Sequence, residues 1–138
     1  MIHTEYPIQQ GDYTRAGEAS ADIKRILKQL GVDGSVLRRI SVAAYEVELN
    51  IVIHSLGGTL SVTVGEDGIR LCSRDVGPGI PDIDKAMSEG YSTADEVARG
   101  LGFGAGMGLP NMKRNADVFE IESEKGKGTC INMLFRLN

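Results

Sequence analysis

Residues 34–55 constrain the fold of this chain more than any other segment. Leu37, Ile40, Val42, Ala43, Val47, Leu49, Ile51 and Val52 surround most of a helix built from this stretch, and a helix that is apolar on nearly every side has to be packed on nearly every side. It needs a sheet beneath it and helices beside it. The 138 residues can supply both as a single domain spanning 1–138, because a chain of this length buries roughly two thirds of the surface it exposes when unfolded.

Partners for that helix are legible on either side. Residues 1–9 alternate weakly through Ile2, Thr4, Tyr6 and Ile8 and read as an edge strand. Ala16, Ala19, Ile23, Ile26, Leu27 and Leu30 recur at spacings of three and four, which predicts a helix over 12–30 stopped by Gly31. Residues 59–64 and 69–76 make a hairpin about Gly65-Glu66-Asp67-Gly68. Alternation puts Ile69, Leu71, Ser73 and Asp75 on one face, so Asp75 ends its strand pointing inward. A short helix over 81–89, a polar glycine-rich stretch over 90–106, a helix near 108–115 and a final hairpin of 118–123 with 129–137 complete the chain. The expected fold is a two-layer α/β (α+β) sandwich, a mostly antiparallel mixed sheet covered on one face by helices.

Composition excludes several classes of function. A net charge of −4 without a basic run does not suit a nucleic-acid surface, which needs clustered Lys and Arg, and with no Trp and few Tyr and Phe stacking platforms are scarce. Glu46, Glu48 and Asn50 interrupt the longest apolar stretch, so no membrane span is expected and the protein should be cytoplasmic. Cys72 and Cys130 match no metal-ligand spacing and are expected as buried, reduced thiols.

Chemistry is concentrated in three places. Glu46, Asn50 and His54 stand at i, i+4 and i+8, one polar stripe on an apolar helix. Glu46 could act there as a general base and Asn50 as an oxygen ligand for Mg²⁺; equally, Glu46 could be partly exposed and Asn50 could cap a neighbouring loop. Glu48 competes for the role of base but lies on the other side of the helix from Asn50, and His54, with no second His or Cys at a matching spacing, reads as a hydrogen-bonded helix-end residue. Asp75, followed by Val76-Gly77-Pro78-Gly79, is either a turn-initiating residue or a buried acceptor for an exocyclic amino group such as that of adenine, with Gly79 leaving room for the ring. Finally, Gly100, Gly102, Gly104, Gly106 and Gly108 run into Leu109-Pro110-Asn111-Met112-Lys113-Arg114, a glycine-rich approach to a helix of the kind that offers bare N–H groups to phosphate. A dinucleotide fingerprint, Gly-x-Gly-x-x-Ala over 100–105, fits by pattern but follows no buried strand, and a Walker-type loop is absent.

In this order, Glu46-x-x-x-Asn50, Asp75-x-Gly77-x-Gly79 and Gly104-Ala105-Gly106-Met107-Gly108-Leu109 resemble the three boxes of the GHKL ATPase superfamily, whose members share the Bergerat nucleotide-binding fold. The whole chain from Asp12 onward is similar to the small bacterial anti-sigma factor serine kinases, the stressosome switch kinases in particular. That resemblance implies ATP and Mg²⁺ as cofactors, Glu46 as the general base, Asn50 as the magnesium ligand and Asp75 as the adenine acceptor. It implies that Gly77 and Gly79 shape the base pocket and that Gly104, Gly106, Met107, Gly108 and Leu109 form the phosphate-binding end of a lid over about 82–106, with Lys113 adding countercharge. Residues 94–101 make this lid longer than the switch kinases lead one to expect.

The resemblance further implies a kinase for a STAS-domain anti-sigma-factor antagonist, with a sigma factor as a further partner and a homodimer as its form. A nucleotide-gated binding module that sequesters its partner without transferring phosphate is the alternative. A histidine kinase would need an acceptor helix, and His3 and His54 are the only histidines; gyrase-like and Hsp90-like work needs further domains.

Overall fold

The computed structural model describes residues 2–80, 83–87 and 108–137. The elements follow the order β1 (Ile2–Ile8), α1 (Glu18–Gln29), α2 (Gly34–His54), β2 (Gly58–Val64), β3 (Gly68–Asp75), α3 (Ile83–Ala86), α4 (Gly108–Asn115), β4 (Val118–Glu124) and β5 (Gly128–Arg136). One sheet of order β1-β2-β3-β5-β4 contains all five strands, and each of its four pairings is antiparallel. The mixed, mostly antiparallel sheet expected from sequence is thus antiparallel throughout the described residues, with β1 on one edge as anticipated.

The apolar girth of α2 is used as its composition demands. Val36, Ile40, Ala43, Ala44, Val47 and Val52 are buried, enclosed by α1, by α4 and by the inner face of the sheet, whose Leu60, Val62, Ile69, Leu71, Ile131, Met133 and Phe135 are also buried. Asp33 caps α2: its carboxylate accepts from Ser35 N at 3.1 Å and from Ser35 Oγ at 2.6 Å, satisfying one of the donors that every helix start leaves open.

Two expectations are corrected. The helix predicted over 12–30 begins only at Glu18, because Gly17 sits in the left-handed region at φ 100° and no side chain of its own caps the start. The cap comes from α2 instead. Glu48, 2% exposed, accepts from Gly17 N at 2.9 Å, Ala19 N at 3.3 Å and Ser20 N at 2.9 Å, placing a carboxylate at the positive end of α1. Second, Cys72 and Cys130 are free as expected but only half-buried. Register explains it: pairing sets Cys72 opposite Asn132 and Arg74 opposite Cys130, on the face of the sheet away from the helices.

Candidate functional site

A strand that turns its side chains alternately in and out fixes the first site residue. In β3, Ile69, Leu71 and Ser73 are buried on the helix face, so Asp75 two residues later points the same way. Its Oδ1 accepts from Thr129 N of β5 at 2.9 Å. Burial pushes the Asp75 carboxyl above its ordinary range, and the Thr129 hydrogen bond opposes that in part. Two glycines make the close packing possible. A Cβ on Gly128 would stand 2.9 Å from the Asp75 carbonyl carbon and 3.2 Å from its Oδ1, and one on Gly58 would stand 2.8 Å from its Cα. Neither glycine stood out in the sequence, since nothing local reveals which residues a strand will oppose.

The segment that follows Asp75 is fastened at both sides. Val76 N donates to Gly57 O at 3.0 Å and Leu56 N to Val76 O at 2.7 Å, which ties it to the end of α2. Gly77 N donates to Lys127 O at 3.2 Å, Gly126 N to Pro78 O at 3.0 Å and Ile80 N to Ser123 Oγ at 2.7 Å, which ties it to the β4–β5 turn. Gly79 has φ 75° and lies so near this turn that a Cβ would stand 2.6 Å from Glu124 O. Here the glycine is required by a protein backbone contact as well as by its left-handed conformation.

Glu46 and Asn50 are both half-buried on α2. Glu46 faces the start of α4: a Cβ on Gly108 would stand 3.2 Å from Glu46 Oε2, and Asn111 Nδ2 donates to Glu46 Oε1 at 3.4 Å. Burial raises the Glu46 carboxyl above the ordinary glutamate range, with the Asn111 hydrogen bond acting the other way. Asn50 lies one turn further along, and α2 then ends beside the Asp75 segment. From Glu46 to His54 the axis advances about 12 Å at 1.5 Å per residue, so α2 runs from a carboxylate beside a helix start to the half-buried Asp75 segment at the end of β3. Glu48 is removed from this contest, since both its oxygens are occupied in capping α1.

At the α4 end, Pro110 occupies the first turn as expected, while Leu109 and Met112 are buried in the core. Only the backbone of Leu109 is left to face a ligand. Lys113 is exposed in the last turn, five residues from Gly108 and so roughly 140° around the helix from it. Gly104, Gly106 and Met107, the lid over about 82–106 and the long stretch 94–101 lie outside the described residues apart from the short α3 and Met87. His54 is half-buried at the end of α2, and burial lowers its ring below the ordinary histidine value.

Elsewhere an open cavity of about 680 Å³ is lined by Ile2, Leu30, Val32, Val36, Val64 and Leu137. It lies at the other end of α2, since Val36 precedes Glu46 by ten residues, about 15 Å of helix. No group of three or more His, Cys, Asp or Glu that could hold a metal occurs among the described residues. Asn50 fits the role of a cation ligand, because a carboxamide oxygen is a hard donor and Mg²⁺ keeps most of its shell as water and phosphate. Among the described residues no helix is long and apolar enough to cross a membrane.

Comparison with known proteins identifies the family. The family described as Histidine kinase-like ATPase domain matches residues 10–135. The chain is 34% identical over 115 residues to the serine/threonine-protein kinase RsbT of Bacillus subtilis (strain 168), covering 80% of each chain. It is 33% identical over 119 residues to the anti-sigma F factor of Geobacillus stearothermophilus, covering 82% of this chain and 78% of the relative. With the anti-sigma F factor of Clostridium perfringens (strain SM101 / Type A) it shares 30% identity over 128 residues, 88% of each. The chain belongs to the histidine kinase-like ATPase domain family.

Proposed function

We propose that this chain is an ATP-dependent serine/threonine-protein kinase of the anti-sigma factor type, which phosphorylates a STAS-domain partner in a partner-switching pathway. The observation that carries this reading is the placement of Glu46, a carboxylate with a raised affinity for protons, directly against the helix start that closes the glycine run. A carboxylate that holds a proton more tightly than an ordinary glutamate is suited to taking one from a serine hydroxyl.

The residues present fit Mg-ATP. The Asp75 oxygen not held by Thr129, Oδ2, would accept from the adenine amino group, and the fastened segment 76–80 would border the base. Asn50 would hold the cation through its carboxamide oxygen, and the first N–H groups of α4 would face phosphate, as helix starts do. Bound Mg-ATP supplies the phosphoryl group and the cation that offsets its charge. Glu46 would accept the proton of the partner's hydroxyl as that oxygen attacks. Phosphoryl transfer asks little else of a protein beyond positioning and charge neutralisation.

The test is transfer of label from γ-labelled Mg-ATP to purified STAS-domain proteins from the same organism. Wild type is expected to label one of them, Glu46→Gln to lose transfer by at least about 100-fold while retaining nucleotide affinity, and Asp75→Asn to lose nucleotide binding itself. Transfer by Glu46→Gln at the wild-type rate would refute the reading. A second reading is favoured by the anti-sigma F factor names of two relatives: a module that holds a partner in a nucleotide-dependent way. It requires partner affinity to differ with and without Mg-ATP, and it leaves Glu46→Gln without effect on that difference.

A further inference from the structure

The base is reached by a side chain that the motif leaves unassigned. Asn111 lies in α4, three residues after Gly108, and bridges two groups of opposite demand. Its Oδ1 accepts from Arg114 Nη1 at 2.9 Å, and its Nδ2 donates to Glu46 Oε1 at 3.4 Å. Arginine can only donate and an ionised carboxylate can only accept, so the orientation of this carboxamide is dictated by its partners. The guanidinium also polarises the amide, which strengthens donation from Nδ2. Asn111 is itself fixed through its main chain, where its carbonyl accepts from Asn115 Nδ2 at 2.7 Å.

We propose that Asn111 is a positioning residue for Glu46: by holding Oε1 it sets the plane of the carboxylate and presents Oε2, the oxygen over Gly108, as the atom that takes the substrate proton. This rests on the reading of Glu46 as general base. Glutamate has a long side chain whose last torsion is broad and nearly free, and α2 alone fixes only its root. A hydrogen bond to one carboxylate oxygen removes that freedom. Because the donor stands on the first turns of α4, the aim of the base follows the seating of the helix that ends the glycine run. A shift of α4 away from α2 would release Oε1 and disorder the base while leaving Asp75, on a different element, untouched.

The experiment compares kcat for transfer to the STAS-domain acceptor, Kd for Mg-ATP and the thermal midpoint in wild type, Asn111→Ala, Asn111→Gln, Glu46→Gln and the double variant Glu46→Gln/Asn111→Ala. Asn111→Ala is expected to lower kcat about tenfold, a fraction of the 10²–10⁴ of a whole general base, with Kd within about twofold. Asn111→Gln keeps a donor on a longer stem and is expected to recover part of the loss. In the Glu46→Gln background Asn111→Ala is expected to change the residual rate by less than about twofold, the non-additivity of residues acting as one unit. A merely structural Asn111 would lower the rate equally in both backgrounds, or would change Kd and the midpoint with it, and either outcome overturns the proposal. Wild-type kcat in Asn111→Ala alongside an inactive Glu46→Gln overturns the positioning role and leaves the general base standing. A fully active Glu46→Gln removes both. The contact is also read without turnover: the side-chain amide ¹⁵N–¹H signals of Asn111 should move on Glu46→Gln, and unmoved signals contradict the proposal.

Discussion

Glu46 and Glu48 are two residues apart on one helix, and the fold gives them opposite work. Glu48 is consumed by three backbone donors of α1; Glu46 keeps an oxygen toward the glycine-run end. Glu48→Ala should therefore cost about 3 kcal/mol, from stranded N–H groups and a buried gap, and Glu48→Gln less, since its carbonyl can still accept. Urea midpoints measure both, and transfer corrected for folded fraction should be unchanged. Asp75 carries a prediction of the opposite sign. Its carboxyl is raised in the folded state, so the folded protein holds that proton more tightly than the unfolded chain does. Stability then falls as pH rises from the ordinary aspartate range through the raised value, and at neutral pH the full cost of the buried charge is present. Asp75→Asn should stabilise the nucleotide-free protein at pH 7, modestly because the group is partly exposed, and the gain should vanish below the ordinary aspartate pKa. Thermal melts at pH 7 and pH 3 decide it. The same logic places the acid limb of the kcat/KM profile, which reports the nucleotide-free enzyme, above the ordinary glutamate value if Glu46 is the base as proposed, and a profile flat through the ordinary glutamate range would contradict that role.

At the scale of elements, local pattern carried as far as local physics does. Alternation sufficed to place Asp75 inward, because period two is a property of one strand, and the bounds of α4 followed from Gly108, Pro110 and the two cations in its last turn. The same alternation, continued to Cys72, already put that thiol on the outer face, against the expectation of burial. The start of α1 was not legible, because it depends on Gly17 meeting a carboxylate 31 residues away. The enclosure of Asp75 was hidden for the same reason: its donor, Thr129, is 54 residues on. A one-residue slip between β3 and β5 would turn Asp75 outward, and Gly128 guards that register. Gly128→Ala should destabilise by more than about 2 kcal/mol, through both its φ of 145° and the collision with Asp75, and denaturant midpoints with nucleotide titration should show both losses together.

Across the described residues, the helices and the sheet enclose one core, and the candidate site lies along the flank of α2 instead of inside that core. The two ends proposed for base and phosphate are held by different contacts: Asp75 and residues 76–80 by β5 and the β4–β5 turn, Glu46 by α4 against α2. From the helix pattern alone Glu46 and Glu48 were rivals, and the packing of α1 accounts for Glu48 as a cap, which leaves Glu46 as the carboxylate proposed for chemistry. If the domain binds Mg-ATP as proposed, ligand at 100 times its Kd should stabilise it by about 2.7 kcal/mol, read as a thermal shift of several degrees that Asp75→Asn abolishes. Adenosine should give a smaller shift, since it reaches only the base end.

The two glycines packed against Asp75 also bear on genetics. In a screen for alleles that silence the kinase, damaging substitutions should accumulate at Gly58 and Gly128 as readily as at Asp75, although neither glycine offers the nucleotide a side chain. Such alleles would look scattered along the gene while mapping to a single crowded point, where three segments of chain meet closer than any Cβ allows.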